Sequence, residues 1–356
     1  MNKKLLIIII NIVLLITFIT CQLLSASIIM PLHNQQAAKA WAGQSGERFI
    51  QLSVFFPESS RFNATSIMST RHSIDNSLLT ASLESGGERS LYTDAWAATG
   101  NVSVVSDRGR TANASVIGVG GDFFLFHPMR LRHGSYLFPS DIMKDRVVLD
   151  EELAWRLFGA IHISGAEVLI NGKPFIIAGV ISRDDDFATS KAYTDGEGLY
   201  MSFEALDAMT EEGAKILSYE VVMPDPINNF AFNIIDGLFT EDGIHIVQNT
   251  SRFSAANQIN IIRTFGERSM KTNAIELPYW ENAARFAEDW LALLLLISIL
   301  VMILPTVFAA IYLVILIRFG LRQLRKAIII YIKKRDDRAY RKYKVNQRLK
   351  LFGNKK

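Results

Sequence analysis

Residues 146–181 read RVVLDEELAWRLFGAIHISGAEVLINGKPFIIAGVI and contain the local signals that decide the fold. The apolar run Arg146–Leu149 predicts a strand. Asp150 follows it in a position to cap a short helix, whose apolar side chains form a single stripe. Gly159 is expected to end this helix, because glycine adopts the left-handed backbone conformation at little cost. The first half of the stretch therefore predicts a strand followed directly by a helix.

The second half of the stretch predicts a β-hairpin. Glu167–Ile170 and Phe175–Ile181 have the composition of strands, and Asn171-Gly172 between them is typical of a type I′ turn. Similar short units continue along the chain, and their alternation predicts an α+β fold. We expect strands at 48–56, 90–93, 101–105, 114–119, 216–223 and 244–247, and helices at 64–83, 228–239, 255–265 and 280–289.

Two apolar stretches predict membrane-spanning helices. Leu5–Met30 and Leu291–Ile317 contain no charged residue, and each is long enough as a helix to cross a hydrocarbon core of about 30 Å. For the first stretch, a cleaved signal peptide with a site near Ser25-Ala26-Ser27 is the competing interpretation. Pro305 is expected to kink the second helix, and Asn11, Thr17, Thr20 and Gln22 offer polar contacts to a neighbouring helix.

The charge distribution predicts the orientation. The chain has a formal net charge of +3, but residues 318–356 hold fifteen Lys or Arg and only two acids, and Lys3 and Lys4 precede the first span. Basic flanks remain in the cytoplasm, so both termini are expected there. An acidic body joined to a basic tail indicates two compartments and argues against a nucleic-acid-binding surface.

These signals divide the chain into five parts in a bacterial plasma membrane. We expect a cytoplasmic N-terminus at 1–4, a transmembrane helix at 5–30, an extracytoplasmic domain at 31–289, a second transmembrane helix at 290–317, and a basic cytoplasmic amphipathic helix and tail at 318–356.

Several motifs in the outer domain resemble one known family. The chain is similar to the MacB-like periplasmic core domain of FtsX-like ABC transporter permeases. The similarity is carried by Val116-Ile117-Gly118-Val119, Asp122-Phe123-Phe124, Gly134, Val147-Val148-Leu149, Ala154-x-x-Leu157-Phe158-Gly159, Gly165, Ile170-Asn171-Gly172, Phe175-x-x-Ala178-Gly179-Val180 and Gly198-Leu199-Tyr200-Met201.

The resemblance implies an extracytoplasmic α+β domain of two subdomains between membrane helices. It also implies a non-enzymatic component or accessory subunit of an ABC transport system, with membrane lipids, an ABC ATPase subunit and other permease subunits as partners. The family's permeases usually carry four transmembrane helices, whereas two are expected here. A membrane-anchored binding or sensing module without transport is the alternative.

Motifs for catalysis and cofactors are absent from the sequence. There is no GxxxxGK[ST] phosphate loop and no HExxH, so we expect no catalytic residue, no cofactor and no metal site built on these motifs. The acidic stretch Asp184–Glu197 could bind a divalent ion, but its spacing differs from that of an EF-hand. A solvated acidic loop is the simpler interpretation.

The segment after the second span predicts an amphipathic helix. Apolar residues recur at helical spacing from Ile317 to Ile332. The candidate contacts for lipid headgroups or a cytoplasmic partner are Arg318, Arg322, Arg325 and Lys326. Basic residues near the membrane surface attract anionic lipid at about 1 kcal/mol each. Docking to an ATPase is the second interpretation.

Overall fold

The computed structural model describes residues 3–83, 89–192, 198–265 and 277–353. The chain divides into two compact units, the first formed by Met1–Cys21 with Ile297–Lys356 and the second by Gln22–Leu296. The helices are α1 (Lys3–Ile29), α2 (Ala37–Ala42), α3 (Ala64–Thr80), α4 (Phe123–Phe126), α5 (Glu151–Phe158), α6 (Thr189–Ala192), α7 (Phe203–Asp207), α8 (Phe230–Leu238), α9 (Ala255–Thr264) and α10 (Tyr279–Gly353).

The strands of the second unit form one mixed sheet. They are β1 (Phe49–Phe55), β2 (Thr93–Ser106), β3 (Thr111–Gly121), β4 (Arg130–Gly134), β5 (Arg146–Asp150), β6 (Glu167–Ile170), β7 (Lys173–Ser182), β8 (Gly198–Ser202), β9 (Ile216–Pro224) and β10 (His245–Gln248). Their order is β10-β1-β9-β2-β3-β8-β5-β7-β4, and β6 pairs with both β2 and β7. The predicted α+β class is confirmed.

The long strand β2 belongs to two groups of strands. Its first half, Thr93–Ala98, pairs with β9 in the group that also contains β1 and β10. Its end, Val104–Ser106, pairs with β6, and this closes a ring of β2, β3, β8, β5, β7 and β6. The sequence predicted separate strands at 90–93 and 101–105. The prediction at 90–93 is wrong except for Thr93, and one strand instead covers 93–106, because β3 pairs with β2 without interruption from Ala95 to Val105.

Two hydrophobic cores lie on the two faces of the sheet, as the alternation of side chains along a strand requires. In β2, Trp96 and Ala98 face the main core, where α3, α5, α7 and α8 contribute their apolar stripes. Ala95 and Ala97 face a second core, which contains α2, α4 and Trp280 from the first turn of α10. The second face is therefore the one that receives the helix leading to the membrane.

The local predictions for residues 146–181 are confirmed. The Asp150 carboxylate accepts a hydrogen bond from the backbone N–H of Leu153 at 2.8 Å and so caps α5. Gly159 ends the helix with φ of 69°. Asn171 and Gly172 have φ of 47° and 79°, as a type I′ turn requires at both positions.

Among the residues that the structure describes, two helices are long and apolar enough to cross a membrane, α1 and the N-terminal part of α10. α1 continues without a break through Ser25-Ala26-Ser27, and α10 is helical on both sides of Pro305. The polar side chains of Asn11, Thr17 and Thr20 donate hydrogen bonds to carbonyls four residues earlier in α1. Such bonds to the preceding turn are common for these residue types in helices, and contacts from these side chains to a neighbouring helix stay a prediction.

Candidate functional site

The first four turns of α10 are packed into the second unit. Trp280, Ala283, Ala284, Ala287 and Leu291 form a buried stripe along the helix. The three alanines lie at helical spacing, and their small side chains allow the backbone of α10 to approach its neighbours closely. The helix predicted at 280–289 therefore continues into the apolar run at Leu291 while its start forms part of the domain core.

Four charged residues are buried beside this stripe, and we call Arg252, Glu281, Arg285 and Glu288 the arginine cluster. Arg252 donates from Nη1 and Nη2 to both oxygens of Glu281, at 2.6 and 2.7 Å. Its Nε donates to Glu288 Oε1 at 2.7 Å, and Arg285 Nε donates to Glu281 Oε1 at 2.9 Å. One guanidinium thus binds α10 at two positions, Glu281 and Glu288, that lie about two helical turns apart.

Arg252 is itself fixed by the outer domain. It follows strand β10 through a short 3₁₀ turn, and its carbonyl accepts a hydrogen bond from Asn257 Nδ2 at 2.6 Å. Arg252 Nη1 also lies 3.4 Å from Gln35 Oε1. Only 2% of the Arg252 side chain and 1% of Glu281 are exposed, so water does not weaken these bonds as it does at a surface.

The charges of the cluster stabilise one another. Burial by itself would raise the pKa of Glu281, but Arg252 and Arg285 outweigh it and hold the pKa below its ordinary value. Burial and the neighbouring Arg285 lower the pKa of His245. The site therefore keeps a charged carboxylate on α10 and disfavours a further positive charge at His245.

A second polar group lies on the same face of the sheet, and we call Ser53, His127, Glu220 and Asn249 the histidine network. Glu220 accepts hydrogen bonds from Ser53 Oγ at 2.7 Å and pairs with His127 Nε2, while Asn249 donates to Ser53 Oγ at 2.7 Å. The Trp280 ring of α10 packs against His127 with centroids 4.3 Å apart. Glu220 separates the serine from the histidine, so the histidine is not placed to activate the serine as a base.

The acidic stretch that the sequence singled out does not form a metal site in the part described. Asp186 Oδ1 accepts hydrogen bonds from the backbone of Ala188 and Thr189, at 3.0 and 3.1 Å, and so orders the start of α6. Burial, with Asp186 nearby, raises the pKa of Asp184. Asp195 and Glu197 lie outside the described residues. Within the described ranges, no group of three or more His, Cys, Asp or Glu could hold a metal ion.

The basic residues predicted after the second span lie on the continuous helix α10. Arg318, Arg322, Arg325 and Lys326 are exposed, and so is the apolar stripe from Ile317 to Ile332 on the same segment. The segment is helical as predicted, whereas its use as an amphipathic surface and the role of its charges stay predictions.

The sequence did not predict the arginine cluster. Glu281, Arg285 and Glu288 recur at helical spacing among alanines, which is a weak signal of charges on a packed face. Arg252 lies 29 residues before Glu281 in the chain, and no sequence motif indicates that these two residues are in contact.

The fold, the two apolar helices and the packed start of α10 define a membrane protein with an extracytoplasmic α+β domain. The family model of the MacB-like periplasmic core domain matches residues 48–235. The chain belongs to this family, whose members include the periplasmic parts of MacB and FtsX-like ABC transporter permeases.

Two curated relatives are macrolide export ATP-binding/permease proteins MacB. The protein from Chromobacterium violaceum is 40% identical over 75 residues, which are 20% of this chain and 12% of the relative. The protein from Agrobacterium fabrum is 34% identical over 100 residues, 27% of this chain and 15% of the relative. The match therefore spans less than a sixth of either relative.

Similar solved structures include the periplasmic region of one transporter and the extracellular domain of another. The periplasmic region of MacB from Actinobacillus actinomycetemcomitans has 19% identity and a TM-score of 0.39, covering 62% of this chain and 94% of that one. The extracellular domain of the noncanonic ABC-type transporter YknZ from Gram-positive bacteria has 14% identity and a TM-score of 0.36, covering 56% and 100%.

Proposed function

We propose that the protein is a non-enzymatic component or accessory subunit of an FtsX/MacB-like ABC transport system. Its role is to couple the extracytoplasmic domain to a membrane helix. The observation that carries this proposal is the arginine cluster, in which one buried guanidinium from the domain binds two turns of the helix. A buried pair of this kind is costly to break, so the start of α10 and the sheet move as one body.

The energy source is proposed to be a separate ABC ATPase subunit on the cytoplasmic side. Both related proteins are named ATP-binding/permease proteins. Residues 1–356 of this chain contain no phosphate loop of the GxxxxGK[ST] type. Arg318, Arg322, Arg325 and Lys326 follow the second span and offer a charged surface on the cytoplasmic helix. Other permease subunits and membrane lipids complete the proposed set of partners.

Crosslinking in the native cells tests the partner. A tagged chain is purified in mild detergent after crosslinking, and mass spectrometry is expected to recover an ABC ATPase. The variant with Arg318, Arg322, Arg325 and Lys326 all replaced by Gln should recover less of it. The matched control replaces Arg335, Arg338, Arg341 and Lys344 by Gln, which removes the same charge farther along α10. Recovery of the chain alone would instead support a binding or sensing module without transport.

Coupling is tested in the recovered complex. A fluorophore on Ser90→Cys, in a Cys21→Ala background, is expected to change its emission when ATP is added. Arg252→Met should reduce this response while the ATPase is still recovered, because the helix is no longer held by the domain. Arg132→Met is the control, since Arg132 pairs with Glu151 at 3.3 Å on the domain surface. An unchanged response in Arg252→Met would contradict the coupling role.

A further inference from the structure

The ends of both predicted spans meet one segment of the outer domain. Leu32, which follows α1, packs with Ala283 and Ala287 of α10 and with Ala188 and Ala192 from the segment after β7. We call these five residues the span-end cluster. Because one residue follows the first span closely and two precede the second, this cluster lies at the level where both helices enter the membrane.

An exposed aromatic side chain lies at this level. Phe187 is 46% exposed and precedes Ala188 of the span-end cluster. Its ring lies 5.4 Å from that of Phe286 and 5.6 Å from that of Trp290, between centroids. Trp290 is 41% exposed and comes directly before the uncharged run that begins at Leu291. Phe187 is therefore at the same depth as the first residues of the span.

The segment that carries Phe187 is held in a defined position. Ala188 and Ala192 are buried against α10, and Asp186 caps the turn through the backbone N–H groups of Ala188 and Thr189. The ring of Phe187 is thus presented outward by a fixed backbone. Charged side chains flank it, with Asp185 and Lys191 both exposed.

We propose that residues 185–191 are a membrane-contact segment, in which Phe187 enters the boundary between lipid headgroups and acyl chains of the outer leaflet. Trp290, at the start of the second span, has the amphipathic ring that favours this boundary. Phe side chains enter the same boundary where charged residues lie beside them. The exposed charges on either side suit the headgroup region. The contact holds the outer domain at the bilayer through a point separate from the two spans, and it does not depend on an ATPase partner.

Fluorescence quenching of the full chain in lipid nanodiscs tests the proposal. In a Cys21→Ala background, an environment-sensitive label is attached to Phe187→Cys, and the nanodiscs contain phosphatidylcholine with or without nitroxide near the headgroup. We expect the label to emit at shorter wavelength than in water. Its fluorescence intensity should fall roughly twofold or more when nitroxide lipid is present, as for a group at the interface. Ser190→Cys, exposed on the same turn, provides a second labelled position if Phe187→Cys does not fold.

Ile142→Cys is the matched control. Ile142 is apolar and 93% exposed, and it precedes β5, which begins opposite Ile176 of β7. Ile176 lies six residues before Ser182 and therefore about 20 Å along β7 from the end of the strand that leads to the membrane-contact segment. The control should be quenched by aqueous iodide and not by nitroxide lipid. The proposal is overturned if the label at 187 behaves like this control, or if it is protected from both quenchers and hence covered by protein.

Discussion

Arg252 and Glu281 show how charged side chains can lie in the interior of this domain. Two parallel hydrogen bonds join them, and Glu288 and Arg285 satisfy further donors and acceptors. A charge buried without such partners would cost several kcal/mol. The cluster is therefore stable only when α10 is docked, which makes it sensitive to the position of the helix.

Glu281→Gln is expected to lower the free energy of unfolding at neutral pH by about 3–5 kcal/mol, because Arg252 and Arg285 lose the buried negative charge that they share and Glu288 remains as a carboxylate partner of Arg252. The pKa of Glu281 is held below its ordinary value of 4.5. The charged Glu281 therefore contributes its full stabilisation of the fold at pH values above the ordinary pKa of 4.5. This contribution is lost as the pH falls through the lowered pKa. Denaturant unfolding of the full chain in detergent, at a series of pH values, measures both effects.

Glu151→Gln is the control for this prediction. Glu151 pairs with Arg132 at 3.3 Å in a partly exposed position, where a salt bridge contributes about 0–1 kcal/mol. A loss for Glu281→Gln as small as that of the control, or one that stays constant with pH, would show that the buried charge does not stabilise the fold.

At the scale of elements, the β6–β7 hairpin depends on a turn that few residues can form. The side-chain oxygen of Asn171 accepts from the backbone N–H of Ser103, and the Asn171 N–H donates to the Ser103 carbonyl, both at 2.9 Å. The turn therefore also fixes the hairpin against β2, where β6 closes the ring of strands. Its backbone conformation decides both contacts.

Gly172→Ala is expected to destabilise the protein by about 1–2 kcal/mol, because a left-handed conformation brings Cβ close to the following carbonyl. An added Cβ meets nothing within 4 Å at this position, so the effect reports the backbone alone. Gly237→Ala in helix α8 has the same open space with ordinary φ and should stabilise by about 0.4–1 kcal/mol. Thermal melting measures both variants. A change in melting temperature of the same sign for Gly172→Ala and Gly237→Ala would mean that the turn is wrongly assigned.

For the whole molecule, the described structure contains a packed α+β unit and two helices able to cross a membrane. The basic flanks at Lys3, Lys4 and after Ile317 predict that both termini are cytoplasmic. The proposed membrane-contact segment requires the same topology, because this topology places the span-end cluster at the outer surface of the membrane. Topology is therefore the property on which the larger proposals depend.

Thiol labelling in intact cells checks the topology. In a Cys21→Ala background, Ser90→Cys is expected to react with a membrane-impermeant reagent from outside. Asn354→Cys should react only after the membrane is opened, because the fifteen basic residues of the tail keep that end inside. Labelling of position 354 in intact cells would contradict the predicted orientation.

Features that depend on neighbouring residues were predicted from the sequence. The two spans follow from the length of their uncharged runs. The Asp150 cap, the Gly159 helix end and the Asn171-Gly172 turn follow from local backbone preferences. The family resemblance also rested on short motifs of this kind, and the family match over 48–235 confirmed it.

Only the tertiary structure decided which distant residues meet. Arg252 reaches Glu281 and Glu288 across 29 and 36 residues of chain, and Phe187 joins Trp290 from another element. Whether a charge is buried, or an aromatic ring stands at the membrane surface, depends on which element packs beside it. That is set by the whole arrangement of sheet and helices, because packing energy comes from contacts between segments far apart in the chain.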